Sequence, residues 1–240
     1  MNFHIITIFK ETFDSYLRES IIGRAIEQKK IKVSFYNPRD FIKIPKGIQR
    51  KVQNNYKPVD GRPYGGGPGM VMKAESIIHA IEKAISKIKS KDKNKVLIIN
   101  FIPSEEKFTT EFAKKVSKKY TDVILICGRY EGIDARVFKI IKNLKFKIKN
   151  LSIGDYVLTG GELPAMVIID CVSRQIPGVL GKFESLEEER VSSSEVYTRP
   201  EILKYPFGNT QGKKSKNYKV PKVLLSGNHA LIKKWKLSKK

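Results

Sequence analysis

The feature that most constrains the fold is an alternation of short apolar runs with amphipathic segments. Apolar runs rich in Ile, Val and Phe occur at 3–9, 31–36, 96–102 and 123–127, and they are typical of buried strands. Segments with apolar residues at helical spacing, such as 73–89, separate these runs. Strands that alternate with helices form a parallel sheet covered on both faces, so the sequence predicts an α/β fold.

Composition favours a polyanionic partner. The chain carries Lys+Arg 47 against Asp+Glu 24, a formal net charge of +23, and neutralising phosphates with such side chains releases counterions. A lysine-rich genome bias would explain part of the excess. Cys127 and Cys171 lie in apolar runs and are expected to be buried free thiols of a reducing cytosol. No apolar run has transmembrane length and the N-terminus lacks signal-peptide features, so the expected location is cytoplasmic.

The character of the chain changes after Gly181. Residues 183–198 are charged and then Ser-rich without apolar periodicity, which is typical of an interdomain linker. Residues 199–240 hold 12 Lys or Arg and one acid, Glu201, with a helix expected from about Asn228. We therefore predict an α/β domain over 1–182, and a small, basic, mainly helical C-terminal domain over 199–240.

Several familiar sites are absent from the sequence. No G-x-G-x-x-G or G-x-S-x-G occurs, and "GGGPGM" at 65–70 lacks the Lys-Ser/Thr ending of a P-loop. The three histidines lie far apart, with no partner at metal-ligand spacing. Hydrolase, NTPase and zinc-enzyme functions are therefore disfavoured.

Three loops, at 102–106, 128–134 and 152–162, are the candidate ligand site. They lie at or near the carboxyl ends of predicted strands, where open α/β sheets bind ligands. The stretch "SIGDYVLTGGELPA" at 152–165 contains no Lys or Arg, which suits a neutral or cationic ligand such as S-adenosylmethionine better than a phosphate. Any one of these loops alone is better explained as a tight turn that separates a strand from a helix.

Six longer motifs occur in order along most of the chain. They are "RPYGGGPGM" (62–70), "CGRYEGID" (127–134), "SIGDYVLTGGELPA" (152–165), "IPGVLGK" (176–182), "YTRPEIL" (197–203) and "LLSGNHALIKKW" (224–235). These motifs resemble those of the bacterial tRNA (guanine-N1)-methyltransferase family. The resemblance implies the SPOUT class, whose parallel sheet carries a deep trefoil knot, and a homodimer in which the linker of one chain closes the other's site. It implies tRNA as partner, with neither DNA nor a membrane expected.

The resemblance also implies where S-adenosylmethionine binds. The knot loops would hold the ligand in a bent shape, with two motifs supplying its walls. The implied binding residues are Gly128, Tyr130, Glu131, Ile153, Gly154, Asp155, Tyr156, Val157, Leu158, Gly160 and Gly161. The family also implies Mg²⁺, for which the sequence offers no assignable site.

The implied reaction methylates N1 of the guanosine just 3′ of a tRNA anticodon. It needs a base for the N1 proton and a donor for the charge on O6. The resemblance implies that Arg174 stabilises the charge on O6. Without the resemblance, Arg174 is expected to cap the carbonyl groups at a helix end. Glu189 stands where the family has a catalytic aspartate, with Glu188 as the second candidate; without the resemblance, "EEER" is a solvated charge run.

Departures from the family pattern leave two other hypotheses. The loop "FIPSEE" lacks residues usual around Pro103, a family aspartate is replaced near Ser193, and the C-terminal domain is expected to be shortened. One alternative is a tRNA-binding SPOUT protein with reduced or lost catalysis. The other is a SPOUT methyltransferase that acts on a different RNA nucleotide.

Overall fold

The structure, a computed structural model, describes residues 1–42, 57–90, 92–181, 193–207 and 215–239. Contacts divide the chain into two compact units, Met1–Leu180 and Gly181–Lys240. The division falls two residues before the end of the predicted first domain.

The described strands of the first unit are, in chain order, β1 (Asn2–Ile6), β2 (Lys32–Tyr36), β3 (Asp60–Gly61), β4 (Val71–Met72), β5 (Val96–Phe101), β6 (Asp122–Ile126) and β7 (Lys147–Leu151). Five of them form a parallel sheet in the order β2-β1-β6-β5-β7. The two short strands β3 and β4 pair with each other in an antiparallel ladder.

Helices connect these strands. Short 3₁₀ turns occupy Lys10–Phe13, Pro38–Phe41 and Lys93–Lys95. The α-helices of the first unit are α1 (Asp14–Leu17), α2 (Ser20–Glu27), α3 (Ala74–Lys87), α4 (Thr110–Lys119), α5 (Arg136–Asn143) and α6 (Glu162–Arg174).

Both faces of the sheet are buried, as the sequence predicted. Along β6, Val123 and Leu125 belong to one apolar cluster, whereas Ile124 and Ile126 belong to the other. Residues of α2, α4 and α6 cover the first face, and residues of α3 and α5 cover the second. The α/β class with a parallel sheet is therefore confirmed.

Strand β7 was not predicted. Its sequence, KIKNL, places two lysines among its five residues, and β7 lies at the edge of the sheet, where it pairs only with β5. An edge strand has one solvated side, so its sequence lacks the continuous apolar run that marked the central strands.

The second unit contains a hairpin that the prediction of a mainly helical domain missed. Strands β8 (Ile202–Tyr205) and β9 (Lys216–Lys219) pair antiparallel, and all eight of their residues are exposed. Helices α7 (Lys222–Leu225) and α8 (His229–Leu237) follow. The side chain of Asn228 accepts a hydrogen bond from the Leu231 amide, which caps α8 where the sequence predicted a helix start.

None of the helices in the described part of the chain is both long enough and apolar enough to cross a membrane.

Candidate functional site

A cavity of about 430 Å³ opens at the carboxyl edge of the sheet, within the size range of small-molecule sites. The strands are parallel, so the loops after β5, β6 and β7 leave the same edge and together form its wall. The residues predicted to bind S-adenosylmethionine that line it are Gly128, Tyr130, Glu131, Ile153, Gly154, Tyr156, Val157, Leu158, Gly160 and Gly161.

Asp155 is the predicted binding residue that the lining does not include. Its carboxylate lies 2.6 Å from the Lys107 ammonium, and both side chains are well exposed. This ion pair links the loop after β5 to the loop after β7 and directs Asp155 toward another loop.

Backbone contacts hold the loop after β6 and the loop after β7 together. The Gly161 amide donates to the Gly128 carbonyl at 2.9 Å, and Arg129 and Gly160 form an isolated antiparallel bridge. A Cβ on Gly161 would lie 2.6 Å from Cα of Cys127. This loop therefore lies so close to the end of β6 that only glycine fits.

An ion pair beside the cavity fixes the start of α6. Nη2 of Arg129 lies 3.0 Å from Oε2 of Glu162, whose side chain is only 4% exposed. The Thr7 hydroxyl donates to the other Glu162 oxygen at 2.8 Å. The same guanidinium donates to the Thr159 carbonyl and lies over the Phe9 ring at 4.7 Å. The charge of Arg129 is therefore compensated within the protein.

The glycine-rich segment before β4 braces the loop that carries Glu131. The Glu131 amide donates to the Met70 carbonyl at 3.0 Å, and the Met72 amide donates to the Gly132 carbonyl at 2.9 Å. At Gly69, with φ +85°, a Cβ would lie 2.6 Å from the Glu131 side chain. The motif at 62–70 thus supports the cavity wall, a role that sequence reasoning did not assign to it.

The lining suits an uncharged or cationic ligand with a flat ring. Its only charged members are Glu131 and the compensated Arg129, all lining residues being in the described part of the chain. Aromatic side chains and glycines both line it. The sequence did not single out the lining residues Phe101 and Phe138, because apolar residues at a strand end or on a helix resemble ordinary core positions.

Cys127 lies beside this site, but its thiol is unreactive. Burial, and secondarily the Glu162 carboxylate, raise the pKa of its thiol well above the ordinary value. The thiol is therefore neutral and a poor nucleophile. The prediction of a buried free thiol holds for Cys127, whereas Cys171 is free but only partly buried.

The predicted catalytic residue that the structure describes, Arg174, is not brought to the cavity within one chain. Arg174 is the last residue of α6, whose first residue, Glu162, lies at the cavity. At 1.5 Å per residue the helix separates the two by about 18 Å. Glu189 and the second candidate, Glu188, lie outside the described residues.

A metal centre is not apparent in the described part of the chain, where no group of three His, Cys, Asp or Glu side chains is placed to hold an ion. The described residues therefore provide no assignable site for the expected Mg²⁺.

Fold and cavity together define a parallel α/β protein with a cavity of small-molecule size, formed by glycine-rich loops at the carboxyl edge of its sheet. The chain belongs to the family described as tRNA (Guanine-1)-methyltransferase TrmD, whose model matches residues 1–240. This confirms the resemblance found in the sequence.

Individual relatives agree over nearly the whole chain. The tRNA (guanine-N(1)-)-methyltransferase of Clostridioides difficile (strain 630) is 42% identical over 236 residues, which cover 98% of this chain and 90% of that protein. The enzyme of that name from Buchnera aphidicola subsp. Acyrthosiphon pisum is 43% identical over 239 residues, covering 98% and 87%. That from Dictyoglomus turgidum is 42% identical over 232 residues, covering 97% and 82%.

Proposed function

We propose that this protein is a tRNA methyltransferase that moves a methyl group from S-adenosylmethionine to N1 of the guanosine 3′ of the anticodon. One observation carries the proposal: a chain that belongs throughout to the tRNA (guanine-1)-methyltransferase family encloses a cavity of about 430 Å³ with its glycine-rich loops. Because tRNA is the substrate, we also propose a cytoplasmic location.

The cavity fits S-adenosylmethionine in charge and shape. The donor is a sulfonium with an adenosine and no phosphate, and it supplies an electrophilic methyl group. Glu131 provides a carboxylate for the positive charge, and the close approach of Gly160 and Gly161 leaves backbone groups available to an adenine edge. The rings of Tyr130 and Tyr156, 50% and 54% exposed, line the same space.

On the acceptor side, two charged side chains would drive the chemistry. Guanine N1 becomes nucleophilic when its proton leaves, and a carboxylate at Glu189 would take that proton. Negative charge then develops on O6, where the Arg174 guanidinium would stabilise it. A flipped base is needed to bring N1 in line with the methyl group.

A second copy of the chain would bring these groups to the cavity. Leu163 and Val167, on α6, are 56% and 39% exposed, and at helical spacing they share a stripe with Arg174. In a two-fold dimer with antiparallel α6 helices, this stripe packs on itself. Arg174 of one subunit then lies beside the start of α6, and hence the cavity, of the other. We therefore propose a homodimer with shared sites.

We propose the SPOUT topology for the first unit, in which the loops at 128–134 and 152–161 belong to a deep trefoil knot. The hydrogen bond between Gly161 and Gly128 and the contact of Gly161 with Cys127 support this, because they draw the last loop tightly against the end of β6. The linker over 183–198 and a tRNA-binding domain over 199–240 complete the proposed organisation.

Replacing the target nucleotide tests the proposal. A transcript with adenosine in place of the guanosine 3′ of the anticodon should accept no methyl group, whereas the matched guanosine transcript should accept one. Equal methylation of both would indicate a different target nucleotide.

The Arg174→Ala variant separates an enzyme from a binding protein. Its methylation rate should fall at least 100-fold, of the order found when a transition-state donor is removed, while tRNA affinity stays within about threefold. A wild-type protein that binds tRNA without methylating it would be the non-catalytic alternative.

A further inference from the structure

The hairpin of the second unit has two chemically different sides. Directly opposed residues of an antiparallel ladder project to the same side, and the pairs Leu203–Tyr218 and Tyr205–Lys216 therefore share one. The ring of Phe207 extends this side, because it meets the Tyr205 ring edge-on at 5.6 Å. We name this surface the aromatic face and define it as Leu203, Tyr205, Phe207, Lys216 and Tyr218.

The aromatic face is open to solvent in the described structure. Leu203, Tyr205, Phe207 and Tyr218 are 46%, 55%, 68% and 51% exposed. Contiguous apolar surface of this kind marks an interaction site. A two-stranded ribbon is also only marginally stable by itself, so it gains from an occupant that covers one side.

Charge identifies the occupant as a polyanion. Nζ of Lys216 lies 5.6 Å from the centre of the Tyr218 ring, and Lys204 and Lys219 stand on the opposite side of the ribbon. The sequence from 202 to 219 contains no Asp or Glu. A second copy of this basic ribbon would be repelled, whereas a nucleic acid would be attracted.

Exposed aromatic rings interleaved with cations are how proteins hold unpaired nucleotides. Each base has a π-face that stacks on an aromatic ring, while lysines neutralise the flanking phosphates. Bases inside a helix are already stacked on their neighbours and do not offer these faces. We propose that the aromatic face is a stacking platform for unpaired nucleotides of the tRNA substrate, an inference that rests on the proposed function.

Substitutions at Tyr218 in the full chain test this proposal. Tyr218→Leu keeps apolar bulk but removes the ring, and it should weaken tRNA binding about tenfold, as expected for loss of one stacked base. Tyr218→Phe keeps the ring and should bind within twofold of wild type. Asn217→Ala, on the opposite side of the ribbon, is the matched control and should also bind within twofold.

Binding, kinetic and sedimentation measurements give the outcomes. Tyr218→Leu should raise the tRNA dissociation constant and KM together, with unchanged kcat and S-adenosylmethionine affinity. The inference is overturned if Tyr218→Leu binds tRNA like wild type, if Tyr218→Phe loses as much affinity as Tyr218→Leu, or if Tyr218→Leu instead dissociates a dimer in sedimentation. Lack of methylation by the wild type would overturn the proposed function alone, because tRNA binding is measured separately.

Discussion

At the residue scale, the candidate site depends on close contacts that leave no space for a larger side chain. Gly161 lies against the backbone of Cys127, just after β6, and Glu162, the next residue, is buried against Arg129. Breaking a buried pair by removing one charge leaves the other uncompensated, which costs more than the pair itself contributes. Conservative substitutions at these two positions should therefore have large effects.

Gly161→Ala should displace the loop after β7. Its Cβ would lie 2.6 Å from Cα of Cys127, and neither backbone can yield cheaply. We expect S-adenosylmethionine affinity to fall at least tenfold in titration calorimetry, with a lower melting temperature. Gly181→Ala is the control, because a Cβ there meets nothing within 4 Å. Wild-type affinity in Gly161→Ala would show that the loop contact does not shape the site.

Glu162→Gln should leave Arg129 with an uncompensated charge at the cavity wall. The free energy of unfolding should fall by about 3 kcal/mol, measured by denaturant titration. The added positive charge should weaken cationic S-adenosylmethionine by about tenfold more than its uncharged thioether product. An equal loss of affinity for both ligands would mean that the loop has moved, and the electrostatic account would then be wrong.

At the element scale, α6 is the helix that organises the site. Its start forms the cavity wall, one stripe is buried in the core, and the Tyr16 hydroxyl holds its outer side by donating to Asp170 at 2.5 Å. Burial first, and then the Asp170 carboxylate, raise the pKa of Tyr16 from 10.0 to about 12. A raised pKa favours the protonated phenol in the folded state, so this contact stabilises the protein below pH 10 and ceases to do so as pH approaches 12.

A difference titration tests this contact. Subtracting the phenolate absorbance of Tyr16→Phe from that of wild type should give a transition with its midpoint at about pH 12. The stability difference between the two proteins should shrink between pH 10 and 12. A midpoint near 10 would contradict both the burial of the Tyr16 hydroxyl and its bond to Asp170.

The elements differ in how well the sequence predicts them. Strands β5 and β6 are buried on both faces, so their continuous apolar runs were sufficient to identify them. Strand β7 is only partly buried and the hairpin is exposed, so lysines interrupt the continuous apolar runs by which buried strands are recognised. The cavity loops were found because their glycines and lack of lysine are unusual in this chain, whereas its apolar lining was hidden among core positions.

At the scale of the whole molecule, the proposed site needs two chains, because the cavity and Arg174 lie at opposite ends of α6. The sequence indicates that Arg174 ends a helix, but its periodicity does not indicate a second chain. In the proposed homodimer with shared sites, activity would be a property of the dimer.

Mixed dimers test the shared site. Glu131→Lys should abolish donor binding by placing a cation in the lining, and Glu189→Gln should abolish proton removal, so each homodimer should be inactive. A heterodimer of the two variants should recover activity at one of its two sites, about half that of wild type. Absence of recovery would contradict a site in which one chain supplies the cavity and the other supplies Glu189.

The most direct test of the central claim is methyl transfer from labelled S-adenosylmethionine to an unmodified tRNA transcript. The transcript should carry guanosines at the third anticodon position and at its 3′ neighbour, and nuclease digestion of the product would locate the label. We expect the label on N1 of the 3′ guanosine. No label, or label on the anticodon guanosine, would contradict the proposed reaction.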